Sequence, residues 1–405
     1  MNFPGLRTLN DRMNRFEQEL AAALAELKGR SLLRHLRNVD SAQGARVRIG
    51  GRSMLMLCSN NYLGLAGHPR LRDAARHALE RYGVGAGASR LIAGSLDPLS
   101  RLERRLARFQ GTEAALVFGS GYLANLGTIT ALAGKGDVVL GDELNHASLI
   151  DGCRLSRAEV RVFRHRDCGH LQVLLEQSGQ ARRRLIVTDA VFSMDGDCAR
   201  LAEMVELKHR FDAVLMVDEA HAIGVLGPGG AGLAAHIGLG QEVDVRIGTL
   251  SKALGSYGAY AAGSHILAEF LINRARSFIY TTGLAPALAA AAEQALAILE
   301  EEPERRRLLL DNAEYLRDKL GRAGFRIAPT QTPIIPVMLG DERLALAMAA
   351  ALFERGVYVT AIRPPTVPPG SARLRVTPTA EHTQADLDDV LTAFVESGRE
   401  LELTR

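Results

Sequence analysis

The sequence predicts an α/β protein: a large unit on a mostly parallel, doubly wound sheet, a smaller α/β unit after it and a helical arm before it. Three observations carry this expectation. From Ala114 onward, short apolar runs alternate with helical stretches, and strands alternating with helices build parallel sheets buried on both faces. The chain has 405 residues, 47% apolar and 23% charged, enough for two cores. The Ala-rich run Pro286–Leu299 then gives way to the charged stretch Glu300–Arg307, which marks a change of unit. The expected division is an arm over 1–50, a large unit over 51–288 and a small unit over 289–405.

Taken in order, Leu9, Met13, Phe16, Leu20, Leu24 and Leu27 recur at helical spacing, so one amphipathic helix is expected between Leu9 and Leu36. Leu71–Tyr82 has a helical pattern as well. Ala114–Phe118, Val138–Leu140, Leu185–Asp189, Ala213–Asp218 and Val245–Gly248 read as buried strands, with a helix over Leu123–Leu132. In the small unit, Phe325–Ile327, Ile334–Val337, Tyr358–Ala361 and Arg373–Val376 are the strand candidates. No internal repeat or low-complexity tract interrupts the chain.

Composition excludes several functions. The 49 Lys and Arg and 46 Asp and Glu are interspersed, with a formal net charge of +3, so no basic stripe is available for nucleic acid. No run approaches the roughly 20 apolar residues of a membrane span, and the first twenty residues mix charges among the apolar positions. Cys58, Cys153, Cys168 and Cys198 stand far apart, which suits reduced thiols in the cytoplasm better than disulfides or a zinc site. A small-molecule substrate is the expectation.

Two glycine clusters carry little. Gly83-Val84-Gly85-Ala86-Gly87 follows a helical pattern rather than a strand, so the context of a dinucleotide loop is missing. Gly227-Pro228-Gly229-Gly230-Ala231-Gly232 reads as an ordinary turn.

Ligands of an open parallel sheet bind outside the carboxyl ends of the strands, which directs attention to the polar residues after each run. Ala114–Phe118 ends in Gly119-Ser120-Gly121-Tyr122 and a helix, whose free amides and dipole favour an anion such as a phosphate. Ala213–Asp218 is followed by Glu219-Ala220-His221. Asp218 either caps a turn or faces a buried cation such as a protonated pyridine nitrogen, and His221 is either a core histidine or part of the same site. Val245–Gly248 runs into Thr249-Leu250-Ser251-Lys252. A lysine there is either a surface charge or, with its pKa lowered, a Schiff-base nucleophile. The order of the three features counts for more than any one of them.

At these residues the chain resembles the fold-type-I pyridoxal-phosphate (PLP) transferases, and more closely the α-oxoamine synthases. The resemblance spans SNNYLGL (Ser59–Leu65), GASRLIAG (Gly87–Gly94), NHASLIDG (Asn145–Gly152), VFSMDGD (Val191–Asp197), VDEAHAIGVLG (Val217–Gly227), GTLSKALGSYGAY (Gly248–Tyr260) and AIRPPTVPPGSARLRVT (Ala361–Thr377). The last of these looks like the biotin-pathway branch. The resemblance implies pyridoxal 5′-phosphate as cofactor, held on Lys252. It makes Asp218 the partner of the ring nitrogen, puts His221 and Ser193 at the phenolic oxygen and stacks His146 on the ring. It gives the phosphate Ser120, the Gly121 and Tyr122 amides and Thr249, with Thr281 or Thr282 reaching in from the neighbouring subunit of a homodimer. It implies substrate contacts from Arg34, Asn61, Ser89, Arg363, Thr366 and Arg375, with Arg375 on the amino acid's carboxylate. The implied reaction joins L-alanine to a pimeloyl thioester, on coenzyme A or an acyl carrier protein, with loss of carbon dioxide. Sister members of the family would accept another amino acid and acyl group.

Overall fold

The computed structural model describes residues 13–404. Asn14 opens helix α1 (Arg15–Gly29): its side chain accepts from the Glu17 amide and Glu17 reaches back to the Asn14 amide, a reciprocal cap that fixes the start. The expected Leu9–Leu36 helix is therefore shorter within the described residues; Leu9 lies outside them. The chain leaves the helix at Ser31, whose φ is +56°, and no residue of α1 is buried.

Strands β1 (Arg46–Ile49) and β2 (Arg52–Met56) form an antiparallel hairpin. The main sheet follows: β3 (Ala114–Phe118), β4 (Val138–Asp142), β5 (Glu159–Phe163), β6 (Arg184–Asp189), β7 (Val214–Asp218), β8 (Val245–Thr249) and β9 (Ala259–Gly263). Their spatial order is β3-β9-β8-β7-β6-β4-β5, and β9 alone runs against its neighbours. Strands β5 and β9 escape the sequence pattern for different reasons. As an edge strand, β5 keeps a mostly exposed face and no continuous apolar run. The sequence of β9, AYAAG, has little intrinsic strand preference, and pairing with β3 and β8 decides its state.

The C-terminal strands are β10 (Ile335–Gly340), β11 (Val357–Tyr358), β12 (Thr360–Ile362) and β13 (Ala372–Val376). They build a β10-β13-β12 sheet, while β11 extends the β1-β2 hairpin. Phe325–Ile327, expected as a strand, supplies only the isolated bridge Ile327 to Val337.

The cores place both unit boundaries elsewhere than the sequence pattern does. Leu55 and Leu57 pack with Leu316, Leu352, Leu374 and Phe394, so the stretch around β2 belongs with the C-terminal unit rather than the large one. The helix Pro286–Glu301 belongs with the large unit, because Ala289, Ala292, Ala295 and Leu296 join the core of the main sheet. Its alanine face permits close approach to α2 (Pro69–Tyr82) and α3 (Asp97–Gln110). No helix among the described residues is long and apolar enough to cross a membrane.

Candidate active site

The carboxyl ends of β3, β4, β6, β7 and β8 share one edge of the main sheet, and the candidate residues collect there. Ser120 caps helix α4 (Gly121–Leu132), its Oγ accepting from the Leu123 amide at 3.2 Å. Among the described residues the Gly121 and Tyr122 amides find no acceptor, which leaves the positive end of α4 open to an anion. Thr249 ends β8, with its Oγ1 2.8 Å from Ser251 Oγ.

Strands β6 and β7 pair in register so that Asp189 lies opposite Asp218. Both carboxylates are buried. Asp218 Oδ2 accepts from Asn125 Nδ2 at 2.6 Å and its Oδ1 from the Ala220 amide at 2.9 Å. Burial, with the charge of Asp218 beside it, pushes the Asp189 carboxyl well above its ordinary value. Asp189 accepts from the His146 amide at 2.6 Å. His146 in turn opens helix α5 (Ala147–Leu155), with Nδ1 2.7 Å from Ser148 Oγ, and Ser148 Oγ accepts from Asn125 Nδ2 at 2.9 Å. One network thus fixes the base of the pocket and leaves the His146 ring exposed within it.

Lys252 Nζ lies 2.9 Å from His221 Nε2. The far nitrogen of that ring, Nδ1, lies 2.7 Å from the Tyr62 hydroxyl, which also accepts from Arg375 Nη2 at 3.1 Å. Burial holds the Lys252 amine down to about 8, against the upward pull of Asp218 and Asp189; burial also keeps His221 neutral. A neutral imidazole has one donor and one acceptor. With Lys252 charged, the amine donates to Nε2 and Nδ1–H donates to Tyr62; with it neutral, the other tautomer reverses both bonds. The chain of contacts therefore tolerates either state of the amine. Gly255, at φ +62°, lets the lysine loop turn back: a Cβ there would stand 2.5 Å from the backbone of Leu65 and Ala66.

Arg375 is buried on β13, and its Nε donates to the Ser193 carbonyl. Among the described residues the Ser193 hydroxyl has no hydrogen-bond partner, so within this structure the residue contributes its backbone. Arg34 and Thr366 meet through a 3.2 Å hydrogen bond, and Arg363 donates to the Ser31 carbonyl. These three residues tie the arm to the segment after β12, whose Thr360 lies opposite Arg375. Asn61 is buried, its Oδ1 accepting from the Ala66 amide at 3.0 Å and its Nδ2 without a protein partner. Ser89 and Thr282 form a bridge with each other, and Thr281 is next to them.

Sequence reasoning missed Tyr62, Asn125, Ser148 and Asp189. A signal existed for Asp189, since Leu185–Asp189 ends in a carboxylate just as Ala213–Asp218 does. Tyr62 sits within SNNYLGL, but nothing local announces a contact with His221. It also missed His165, set between Asp142 Oδ1 and Asp197 Oδ2 at 2.9 Å each. Burial opposes its charge, but these hydrogen bonds outweigh burial and hold its pKa up to about 9.

The pocket fits pyridoxal phosphate on the chemistry of its donors. Among the described residues neither Asp189 nor Asp218 forms an ion pair, so the carboxylates suit a cationic ring nitrogen. Ser120 and the open end of α4 suit a phosphate, and Lys252 suits a carbonyl.

The aminotransferase class I and II family model matches residues 52–394. A protein of Geobacter sulfurreducens named 8-amino-7-oxononanoate synthase is 50% identical over 386 residues, covering 95% of this chain and 99% of its own. One of the same name from Anaeromyxobacter dehalogenans is 53% identical over 375 residues, covering 93% and 94%. Among solved structures, a Sphingomonas wittichii serine palmitoyltransferase superposes with TM-score 0.91 at 34% identity, over 96% of this chain and 99% of that one. The 8-amino-7-oxononanoate synthase of Francisella tularensis superposes with TM-score 0.74 at 28% identity, over 86% and 98%. The chain belongs to the aminotransferase class I and II family and, within its α-oxoamine synthase branch, to the family of the 8-amino-7-oxononanoate synthases.

Proposed function

We propose that the chain condenses L-alanine with a pimeloyl thioester, on coenzyme A or an acyl carrier protein, to give 8-amino-7-oxononanoate, carbon dioxide and the free thiol, a step of biotin biosynthesis. The observation that carries this reading is the run Lys252–His221–Tyr62–Arg375, which puts a guanidinium within two side chains of a reactive amine. An α-amino acid has the matching pair of groups. Among the described residues Arg375 Nη1 has no hydrogen-bond partner, so the fork has a donor left for a carboxylate. Relatives about half identical over almost the whole chain bear the name of this activity.

Pyridoxal phosphate, when bound, supplies an electron sink for the carbanion at the amino acid's Cα and for the later decarboxylation. Lys252 takes the proton from Cα, an amine near 8 being suited to proton transfer close to neutral pH. Asp218, held by Asn125 and Ala220, keeps a proton on the ring nitrogen. His146 would pack against the ring, and Ser193 and His221 would face its oxygen. Ser120, the Gly121 and Tyr122 amides and Thr249 would hold the phosphate. Arg34, Arg363 and Thr366 bind the acyl substrate, and Asn61 and Ser89 complete the pocket.

Turnover with mass-confirmed product tests the substrates. Pimeloyl-CoA with L-alanine is expected to outperform acetyl-CoA with glycine, and Arg363→Ala to raise KM for pimeloyl-CoA about tenfold, the cost of one charged hydrogen bond, while KM for alanine stays within twofold. A preference for glycine would move the chain to a sister activity. The fit to serine palmitoyltransferase, at TM-score 0.91, makes serine with a long-chain acyl thioester the second reading, and it is a third arm of the same assay.

We also infer a homodimer in which Thr281 or Thr282 reaches the neighbouring phosphate site. Both lie beside the surface-exposed Tyr280. Sedimentation equilibrium is expected to give twice the 43.7 kDa chain mass; an active monomer would remove the shared site.

A further inference from the structure

We propose that His165 is a positioning residue for the amino-acid carboxylate: by clamping Asp197 to Asp142 it sets the loop Ser193–Asp197, and through that loop the orientation of Arg375. The inference rests on the reading of Arg375 as the carboxylate site.

The loop joins the two units. Ser193 gives its carbonyl to Arg375 Nε, and Asp195 gives its carboxylate to Arg373 Nη1. Both arginines stand on β13 of the C-terminal unit. The Gly196 carbonyl accepts from Thr330 Oγ1 at 2.7 Å and Thr332 Oγ1 at 2.8 Å. Gly196 has φ +69°, and a Cβ there would lie 2.6 Å from the Ile334 carbonyl oxygen, so the loop passes against β10's approach with no room to spare.

On the main-sheet side the loop is closed by the Phe192 amide on the Asp197 carbonyl and the Gly196 amide on the Phe192 carbonyl, and His165 ties it to β4. Its Nε2 binds Asp197 and its Nδ1 binds Asp142, at the end of β4. A ring that donates from both nitrogens is an imidazolium, so the clamp is a cation between two carboxylates. Arg166 adds a second cation: its amide donates to Asp142 Oδ2 at 2.8 Å and its Nη1 to Asp197 Oδ2 at 3.0 Å. Phe192 meets the His165 ring edge-on, with centroids 4.4 Å apart, and the His165 amide donates to Glu143 at 2.8 Å. None of these groups touches the lysine pocket. One route from them to it is the Ser193 carbonyl, which sets the direction in which the remaining arginine donors point; another runs from the Asp142 carbonyl through Asn145 to Asp189, and it ends at the lysine side of the pocket rather than at the arginine. Charge-assisted bonds of this kind fix direction as well as distance.

His165→Gln keeps one donor and loses the charge. Calorimetric titration of L-alanine into the cofactor-loaded variant is expected to show affinity weakened about tenfold, the loss of one charged hydrogen bond. The KM for the acyl thioester and kcat at saturating alanine should stay within twofold. In the cofactor-free chain, amide exchange at residues 193–197 should accelerate while the β6 and β7 amides keep their protection. Asp195→Asn, which loosens Arg373 without touching His165, serves as second variant and should weaken alanine in the same direction. Alanine affinity unchanged in both variants, or both KM values rising together with loss of protection across the sheet, overturns the proposal. Arg375→Ala run in parallel separates the two claims: normal alanine binding there removes the carboxylate-site reading, and weakened binding there beside an unchanged His165→Gln removes the clamp alone.

Discussion

Replacing Lys252 with Ala is expected to lower kcat by a factor on the order of 10⁴ or more, about 5 kcal/mol of transition-state stabilisation, because one amine has two tasks. In the proposed reading it holds the cofactor's carbonyl carbon and takes the Cα proton. No other lysine can take over. Of the chain's five lysines, Lys28 lies on α1, Lys135 precedes β4 at the opposite edge of the sheet, Lys208 pairs with Asp244, and Lys319 lies over Tyr315. Borohydride reduction of the loaded protein followed by peptide mapping should label one lysine. A label on any lysine but Lys252, or a label surviving in Lys252→Ala, defeats the assignment. The variant should still bind cofactor through the Ser120 and α4 contacts, since these do not involve the amine, but without the visible colour of the lysine-linked form.

Asp218→Asn should reduce kcat by about a thousandfold, roughly 4 kcal/mol, with cofactor affinity changed by no more than about tenfold. The reasoning is electrostatic. A buried carboxylate favours a protonated ring nitrogen beside it, and the neutral amide offers no such field. The substitution nearly preserves shape, so Asn125 and the Ala220 amide still find an acceptor oxygen. Asp189→Asn is the control for a change at the neighbouring carboxyl: Asp189 lies opposite Asp218 but its contact is to the His146 amide. Equal losses in the two variants would show that the pair acts as one charge, and near-normal turnover in Asp218→Asn would end the ring-nitrogen role.

What the sequence determined by itself was everything with a local period or a local neighbour. Ala114–Phe118 was legible as a strand because a buried parallel strand is a short apolar run, and it coincides with β3 to the residue. Ser120, Asp218 and Lys252 were legible because strand ends locate ligand sites in such a sheet; their roles came from resemblance, not from spacing. Tertiary structure decided the rest. Strand β9 exists because β3 and β8 pair with it, and Leu55 joins the C-terminal core because β2 pairs with β11, which no window around either segment reveals. The partners in the site are as remote: Tyr62 meets His221 across 159 positions and Arg375 across 313. Hydrophobic period records which face of a segment is buried. It carries no record of which distant polar group will complete a hydrogen bond there, and that pairing, settled only when the two units close on the loop Ser193–Asp197, is what brings the lysine and the arginine to one pocket.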